Sequence, residues 1–170
     1  MPTTNVILLG AGCFWSKEYH LGRLPGVTRT RVGFAGGTAV DPSYVQVCHK
    51  DTGHAEVVEV TYDAEVLSTE ALLTEFFTLH NFKINRGRGV GQYRSAVFSL
   101  EEDDQLATAR RMLEVLAAAR FQPETDVEAV AAFYPAEARH QGYCDAHGMA
   151  PDRKQNDRVR ELLQPATKVG

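Results

Sequence analysis

The sequence predicts an α+β fold, a two-layer sandwich of helices packed on a mainly antiparallel sheet. Three observations carry that reading. The apolar run Val6-Ile7-Leu8-Leu9 and the branched stretches 28–34, 54–62 and 94–100 have the character of strands. Between them lie stripes at helical spacing, foremost Leu72, Leu73, Phe76, Phe77 and Leu79. The chain has 170 residues, 44% hydrophobic and 24% charged, enough for one well-cored domain and short for two. We expect a single unit over 1–170, with its core at about 5–148 and a charged tail at 151–170.

In chain order, the first strand ends at Gly10 and Gly12, and a helix opens at Ser16 and runs to Leu21. Cys13 therefore falls at or just before a helix N-terminus, where unpaired N–H groups and the dipole favour a thiolate and a depressed pKa. Phe14 and Trp15 present a flat apolar wall beside it. A cysteine among aromatics equally suits a small buried hydrophobe, so this stretch alone leaves both readings open.

A turn at Leu24-Pro25-Gly26-Val27 leads into the strand 28–34, which Gly36-Gly37 ends. Residues 38–53 read as a long polar loop carrying Tyr44, a length that usually signals function or mobility. After the strand His54–Tyr62, Ser68-Thr69-Glu70 opens the helix of the Leu72–Leu79 stripe. A basic, glycine-rich loop (81–91) and the strand 94–100 follow. The acidic run 101–104 suits a helix start, and Leu106, Met112, Leu113 and Leu116 extend that helix to about Arg120. Val127–Ala132 reads as a short strand, and Pro135-Ala136-Glu137 as the start of another helix. The tail keeps an amphipathic turn at Val159, Leu162 and Leu163.

Several classes are disfavoured. A formal charge of -4, with no basic run interleaved with aromatics, argues against a nucleic-acid partner. Cys13, Cys48 and Cys144 are too few and too scattered for a disulfide scaffold, and they lack zinc-site spacing, so no metal is expected. Met1-Pro2-Thr3-Thr4-Asn5 has no basic residue ahead of its short apolar run and does not read as a signal peptide. No apolar segment nears the roughly 20 residues of a membrane span, so no membrane partner is expected and a reducing, cytoplasmic setting is the default.

Five blocks occur in one order: Gly12-Cys13-Phe14-Trp15 with Glu18; residues 32–37; residues 42–48 leading into 52–58; Gln92-Tyr93-Arg94-Ser95; and Phe133-Tyr134-Pro135-Ala136-Glu137 with His140-Gln141. Together they resemble the A-type peptide-methionine sulfoxide reductases over residues 5 to about 144. That resemblance implies a ferredoxin-like core with long excursions, reduction of methionine S-sulfoxide by Cys13, and a sulfenic acid on that residue as the product. It also implies Glu56 as the proton donor, a carboxylic acid kept neutral by apolar surroundings. Read alone, Glu56 suits a solvent-facing strand position. Tyr44 and Tyr93 match the family's tyrosines that hydrogen-bond the sulfoxide oxygen, and Phe14 and Trp15 match its S-methyl pocket. Glu18 reads as a surface charge rather than as a partner of a neighbouring basic group. No bound cofactor is implied; the reductant is an external dithiol such as thioredoxin.

Two departures from the family stand out. Many members resolve the sulfenic acid with cysteines in a C-terminal tail, and none follows Cys144 here. Cys144 is then the only late candidate, equally a core residue, while Cys48 matches a cysteine that is structural in relatives. The family also carries an Asp shortly before its Gln-Tyr-Arg-Ser block, whereas this chain has no acidic residue between Glu75 and Glu101 and places Arg86 and Arg88 there. A cationic wall at Arg88 suits a substrate bearing a nearby carboxylate. The open alternatives are a reductase of methionine sulfoxide in peptides or free, a reductase of another small sulfoxide, and a redox-sensing relative without turnover.

Overall fold

The structure, a computed structural model, describes residues 3–49, 52–83, 91–153 and 155–164. Strands β1 (Thr4–Ala11), β2 (Val27–Ala35), β3 (Ala55–Asp63), β4 (Ser95–Ser99), β5 (Asp126–Ala129) and β6 (Phe133–Pro135) form one sheet in the order β5-β4-β1-β3-β2-β6. The helices are α1 (Phe14–Gly22), α2 (Tyr44–His49), α3 (Thr69–Thr78), α4 (Asp104–Ala118), α5 (Tyr143–Ala146) and α6 (Asp157–Leu163), with a 3-10 turn at Ala138–His140. The sheet is mixed: β1 is antiparallel to β3 and β4, and β2 to β3 and β6, while β4 and β5 are parallel. The parallel pair follows from its connection, since α4 carries the chain back to the same end of the sheet.

β1 lies inside the sheet with both faces covered, so Ile7 through Ala11 are all buried and its sequence is a continuous apolar run. Ile7 and Leu9 join Val32, Phe34, Val58, Val60 and Val97 in the main core with Leu72, Leu73, Phe76 and Phe77 of α3. Leu8, Val57, Ala96 and Phe98 point the other way, into a smaller cluster with Val130. Caps sit where the sequence places them: Ser68 accepts from the Ala71 N–H at the start of α3, and Asp103 from the Leu106 N–H at the start of α4.

Three elements differ from the sequence expectation. The stretch 38–53 is not all loop, because α2 forms within it, capped by Ser43, whose hydroxyl accepts from the Gln46 N–H. Residues 133–135 form an edge strand against β2 rather than a helix start; Pro135 ends it, where a missing N–H costs little. Close approach there needs Gly33, since a Cβ at that position would lie 2.3 Å from the Tyr134 carbonyl oxygen. Finally, α6 sends Val159 and Leu163 into the main core, and Glu75 of α3 pairs with Arg153 and Arg160, so the core reaches residue 163. Among the described residues no helix is long and apolar enough to cross a membrane.

Candidate active site

β1 delivers the chain to Gly12, whose φ of 95° is a conformation that glycine adopts without strain, and Cys13 then becomes the N-cap of α1. The thiol makes no capping bond with its own helix. Gly10, just before, lies so close to β3 and β4 that a Cβ would sit 3.2 Å from the Arg94 carbonyl oxygen and 3.3 Å from that of Glu56. This close packing brings the Cys13 turn against the start of β3.

There Glu56 is 1% exposed. Its Oε1 accepts the Phe14 N–H at 3.3 Å, so the carboxyl lies against the peptide that follows the thiol. Its Oε2 accepts from Gln92 Nε2 at 2.8 Å, and the same amide nitrogen donates to Cys48 Sγ at 3.3 Å. The Glu56 N–H donates to the Gln92 carbonyl at 2.8 Å. The solvent-facing alternative for Glu56 is thereby excluded, because the loop before β4 folds over it.

Arg94, fully buried, holds that loop. Its guanidinium donates to the carbonyls of Gly91 and Gly53, both at 2.9 Å, and to Asp126 Oδ2 at 3.1 Å. One cation thus ties the Gln92-Tyr93 turn to the approach of β3 and to β5. His54 does the same for the preceding turn, with Nδ1 accepting the Gly37 N–H and Nε2 donating to the Ala39 carbonyl.

The tyrosines complete the cluster. Tyr44 lies over Phe14 and Trp15, with ring centroids 6.1 and 6.2 Å away, and its hydroxyl is in hydrogen-bonding reach of Tyr93 and Cys48. Burial, foremost, raises the pKa of both phenols, and the Glu56 charge raises both further, so they remain donors at neutral pH.

Cys13 departs from expectation. The N–H groups of Trp15 and Ser16 and the charge of Lys17 do pull its pKa down, but burial is the largest influence and, with the nearby Glu56 charge, it raises the thiol above its ordinary 9.0. A helix start therefore does not make this residue a resting thiolate.

Trp15 is oriented from behind. Its Nε1–H donates to His140 Nδ1 at 3.1 Å, so neutral His140 carries its proton on Nε2. Among the described residues that buried nitrogen has no hydrogen-bond partner of proper geometry, although Glu137 Oε2 lies 3.4 Å away. Burial, foremost, lowers the His140 pKa. Gln141 fixes the segment by accepting the Val32 N–H and donating to the Val32 and Ala136 carbonyls. Glu137 Oε1 accepts the Tyr44 N–H at 3.1 Å and so joins this segment to α2.

Cys144 does not join the cluster. It is 3% exposed on α5, and its thiol donates to the Trp15 carbonyl at 3.3 Å. Glu18, read as a surface charge, is buried instead, accepting the Gly142 N–H at 2.8 Å and the Thr30 hydroxyl at 3.0 Å. Arg86 and Arg88 lie outside the described residues, so the cationic wall has no structural account. Among the described residues no group of three His, Cys, Asp or Glu side chains is placed to hold a metal ion.

Residues 5–166 match the family described as peptide methionine sulfoxide reductase. The chain belongs to that family. It is 44% identical over 146 residues to the peptide methionine sulfoxide reductase MsrA of Halobacterium salinarum, covering 82% of each chain. Among solved structures it resembles methionine sulfoxide reductase A of Corynebacterium diphtheriae, with a TM-score of 0.75 and 31% identity over 89% of this chain and 79% of that one. It also resembles reduced Mxr1 from Saccharomyces cerevisiae, with a TM-score of 0.77 and 29% identity over 88% and 89% of the two chains. A further structure shows Mxr1 in complex with Trx2.

Within this family member, sequence reasoning missed two residues of the site. Gln92, which joins Glu56 to Cys48, and His140, which holds Trp15, both stand inside the family blocks. Their presence in those blocks was the signal available; their roles depend on partners 36 to 125 residues away.

Proposed function

We propose that the chain reduces methionine S-sulfoxide, in peptides or as the free amino acid, at Cys13 with thiols as the electron source. The observation that carries the reading is the bond from the Phe14 N–H to Glu56 Oε1, which sets a buried carboxyl beside the residue at the start of α1 that bears the thiol. Cys13 attacks the sulfoxide sulfur as the thiolate, and Glu56 supplies a proton to the departing oxygen. Tyr44 and Tyr93 donate hydrogen bonds to that oxygen, while Phe14 and Trp15 enclose the S-methyl group. Thioether and Cys13 sulfenic acid are the products. Burial and the Glu56 charge raise the Cys13 pKa, so the thiol gives up its proton as attack proceeds; the Glu56 carboxylate takes it and passes it to the departing oxygen.

A thiol then resolves the sulfenic acid and an external dithiol restores the enzyme, a protein of thioredoxin type, in line with the pairing of Mxr1 with Trx2. Three free cysteines suit a reducing, cytoplasmic compartment. The inner strand order β4-β1-β3-β2 supports a ferredoxin-like description of the core, and the span of the main cluster from Ile7 to Leu163 supports one domain.

The test is turnover of each epimer of a methionine sulfoxide peptide with dithiothreitol, in wild type and Cys13→Ser. We predict activity on the S epimer and none in the variant, with unchanged circular dichroism. Activity in Cys13→Ser within a few-fold of wild type removes Cys13 as nucleophile, and inactivity of wild type on both epimers removes the reductase reading.

A further inference from the structure

We infer that Cys48 resolves the Cys13 sulfenic acid, closing a Cys13–Cys48 disulfide that the external dithiol reduces. The inference rests on the proposed reduction at Cys13. The sequence holds only two other cysteines, Cys48 and Cys144, so if an internal thiol resolves the intermediate it is one of these.

The two occupy opposite circumstances. Cys144 is buried, and its thiol is committed to the Trp15 carbonyl beneath a Trp15–Tyr143 stack with ring centroids 3.9 Å apart. Its helix is pinned to α1 on both sides, by the Gly142 N–H on Glu18 and by the Arg23–Asp145 pair. Reaching Cys13 from there requires breaking that packing.

Cys48 is partly exposed and already belongs to the catalytic cluster. Gln92 Nε2 bridges its sulfur, at 3.3 Å, to Glu56 Oε2, at 2.8 Å, and the other oxygen of Glu56 binds the Phe14 N–H at 3.3 Å. Three contacts thus connect Cys48 to the peptide bond that follows Cys13. Tyr93 lies within electrostatic range of both thiols. Cys48 rides on α2, a helix of six residues whose one buried side chain is Val47. A disulfide requires Cα atoms roughly 4.4–6.8 Å apart, a spacing that the inference requires α2 and the Cys13 turn to reach.

The step balances. Cys48–SH attacks the sulfur of Cys13–SOH, the S–O bond breaks, the S–S bond forms, and the oxygen leaves as water with the Cys48 proton. The external dithiol then reduces the disulfide to two thiols and is itself oxidised to a disulfide.

The experiment uses the reduced full chain, mixed with excess methionine sulfoxide without reductant. Methionine released and free thiols are counted, followed by non-reducing peptide mapping and dimedone trapping. For wild type we predict two thiols lost per methionine formed, a mapped Cys13–Cys48 disulfide and no dimedone adduct. In Cys48→Ser the loss falls to one thiol per methionine, with dimedone captured on Cys13, while Cys144→Ser behaves as wild type. A Cys13–Cys144 disulfide, or a persistent sulfenic acid in wild type, overturns the inference and leaves the reductase reading standing. Release of no methionine by wild type overturns both. The wild-type disulfide map decides the matter even if a variant fails to fold.

Discussion

Glu56 on β3 and Glu18 on α1 are 1% and 8% exposed, and each accepts a backbone N–H within 3.3 Å. Each also has a cysteine beside it, Glu56 near Cys13 and Glu18 near Cys144. Their remaining donors differ. Glu18 receives the Thr30 hydroxyl and the Gly142 N–H, and so fastens α1 to β2 and to the entrance of α5. Glu56 receives the Gln92 amide, which is shared with a second thiol and stands next to Tyr93. Burial of a carboxyl is therefore no sign of chemistry by itself. In our reading, donors that fasten backbone segments make a clamp, and side-chain donors shared with thiols and phenols make an acid.

The largest effect that tests this contrast is on the rate of the first step. Glu56→Gln should lower single-turnover methionine release by roughly 100-fold to 10,000-fold, the usual cost of losing a positioned acid. Glu18→Gln should stay within a few-fold of wild type. Equal losses in the two variants would erase the distinction between acid and clamp.

Next comes Cys13 itself, where the same variant should act in the opposite direction. The Glu56 charge raises the Cys13 pKa, so Glu56→Gln lowers it and increases the thiolate fraction at a fixed pH of 8. Alkylation of Cys13 by iodoacetamide should then quicken severalfold while sulfoxide reduction collapses. In wild type the alkylation rate should still be climbing at pH 9, the thiol's ordinary value. A wild-type plateau below pH 8 would show a depressed pKa and contradict the burial argument.

Stability gives a smaller signal, read at Glu18. Glu18→Ala leaves the Gly142 N–H and the Thr30 hydroxyl without their acceptor, at about 1–3 kcal/mol. For a chain of this length each kcal/mol shifts Tm by about 2–4 °C, so differential scanning calorimetry should resolve the loss. An unchanged Tm would mean that water replaces the carboxylate fully.

The smallest effect concerns His140. Its folded pKa lies below the ordinary 6.5, so between the two values the unfolded chain binds a proton that the folded chain refuses. Its contribution is complete above about pH 6.5 and is lost as pH falls through the folded value. Melting curves from pH 7.5 to 5 should be flatter for His140→Gln than for wild type. Part of the slope should remain, because burial lowers His20 as well. Identical slopes would show that His140 does not resist protonation.

Much of the fold was legible in the sequence because it follows from local periodicity. The β1 run, the α3 stripe and the acidic start of α4 all occur where pattern and caps place them. The elements that pattern missed have little local signal: α2 buries only Val47, and β6 exists because Gly33 admits it to the edge of β2. The tail reads as charged with one amphipathic turn; Val159 and Leu163 of that turn join the core, and Glu75 pairs with Arg153 and Arg160 across a distance in sequence that no window spans.

By itself the sequence determined the family, the strand-glycine-helix setting of Cys13 and the residue types of the cluster, since motif order and short-range periodicity are written in neighbouring positions. Only the tertiary structure decided what surrounds each of them. Glu56 is buried because residues 91–94 fold over it, and Glu18 because Gly142 and Thr30 close on it. Cys144 turns into the body of the protein and Cys48 into the cluster, through partners 129 and 44 residues away. The Cys13 pKa follows the same logic. Helix amides next to it in sequence pull it down, and desolvation by packing from distant segments outweighs them.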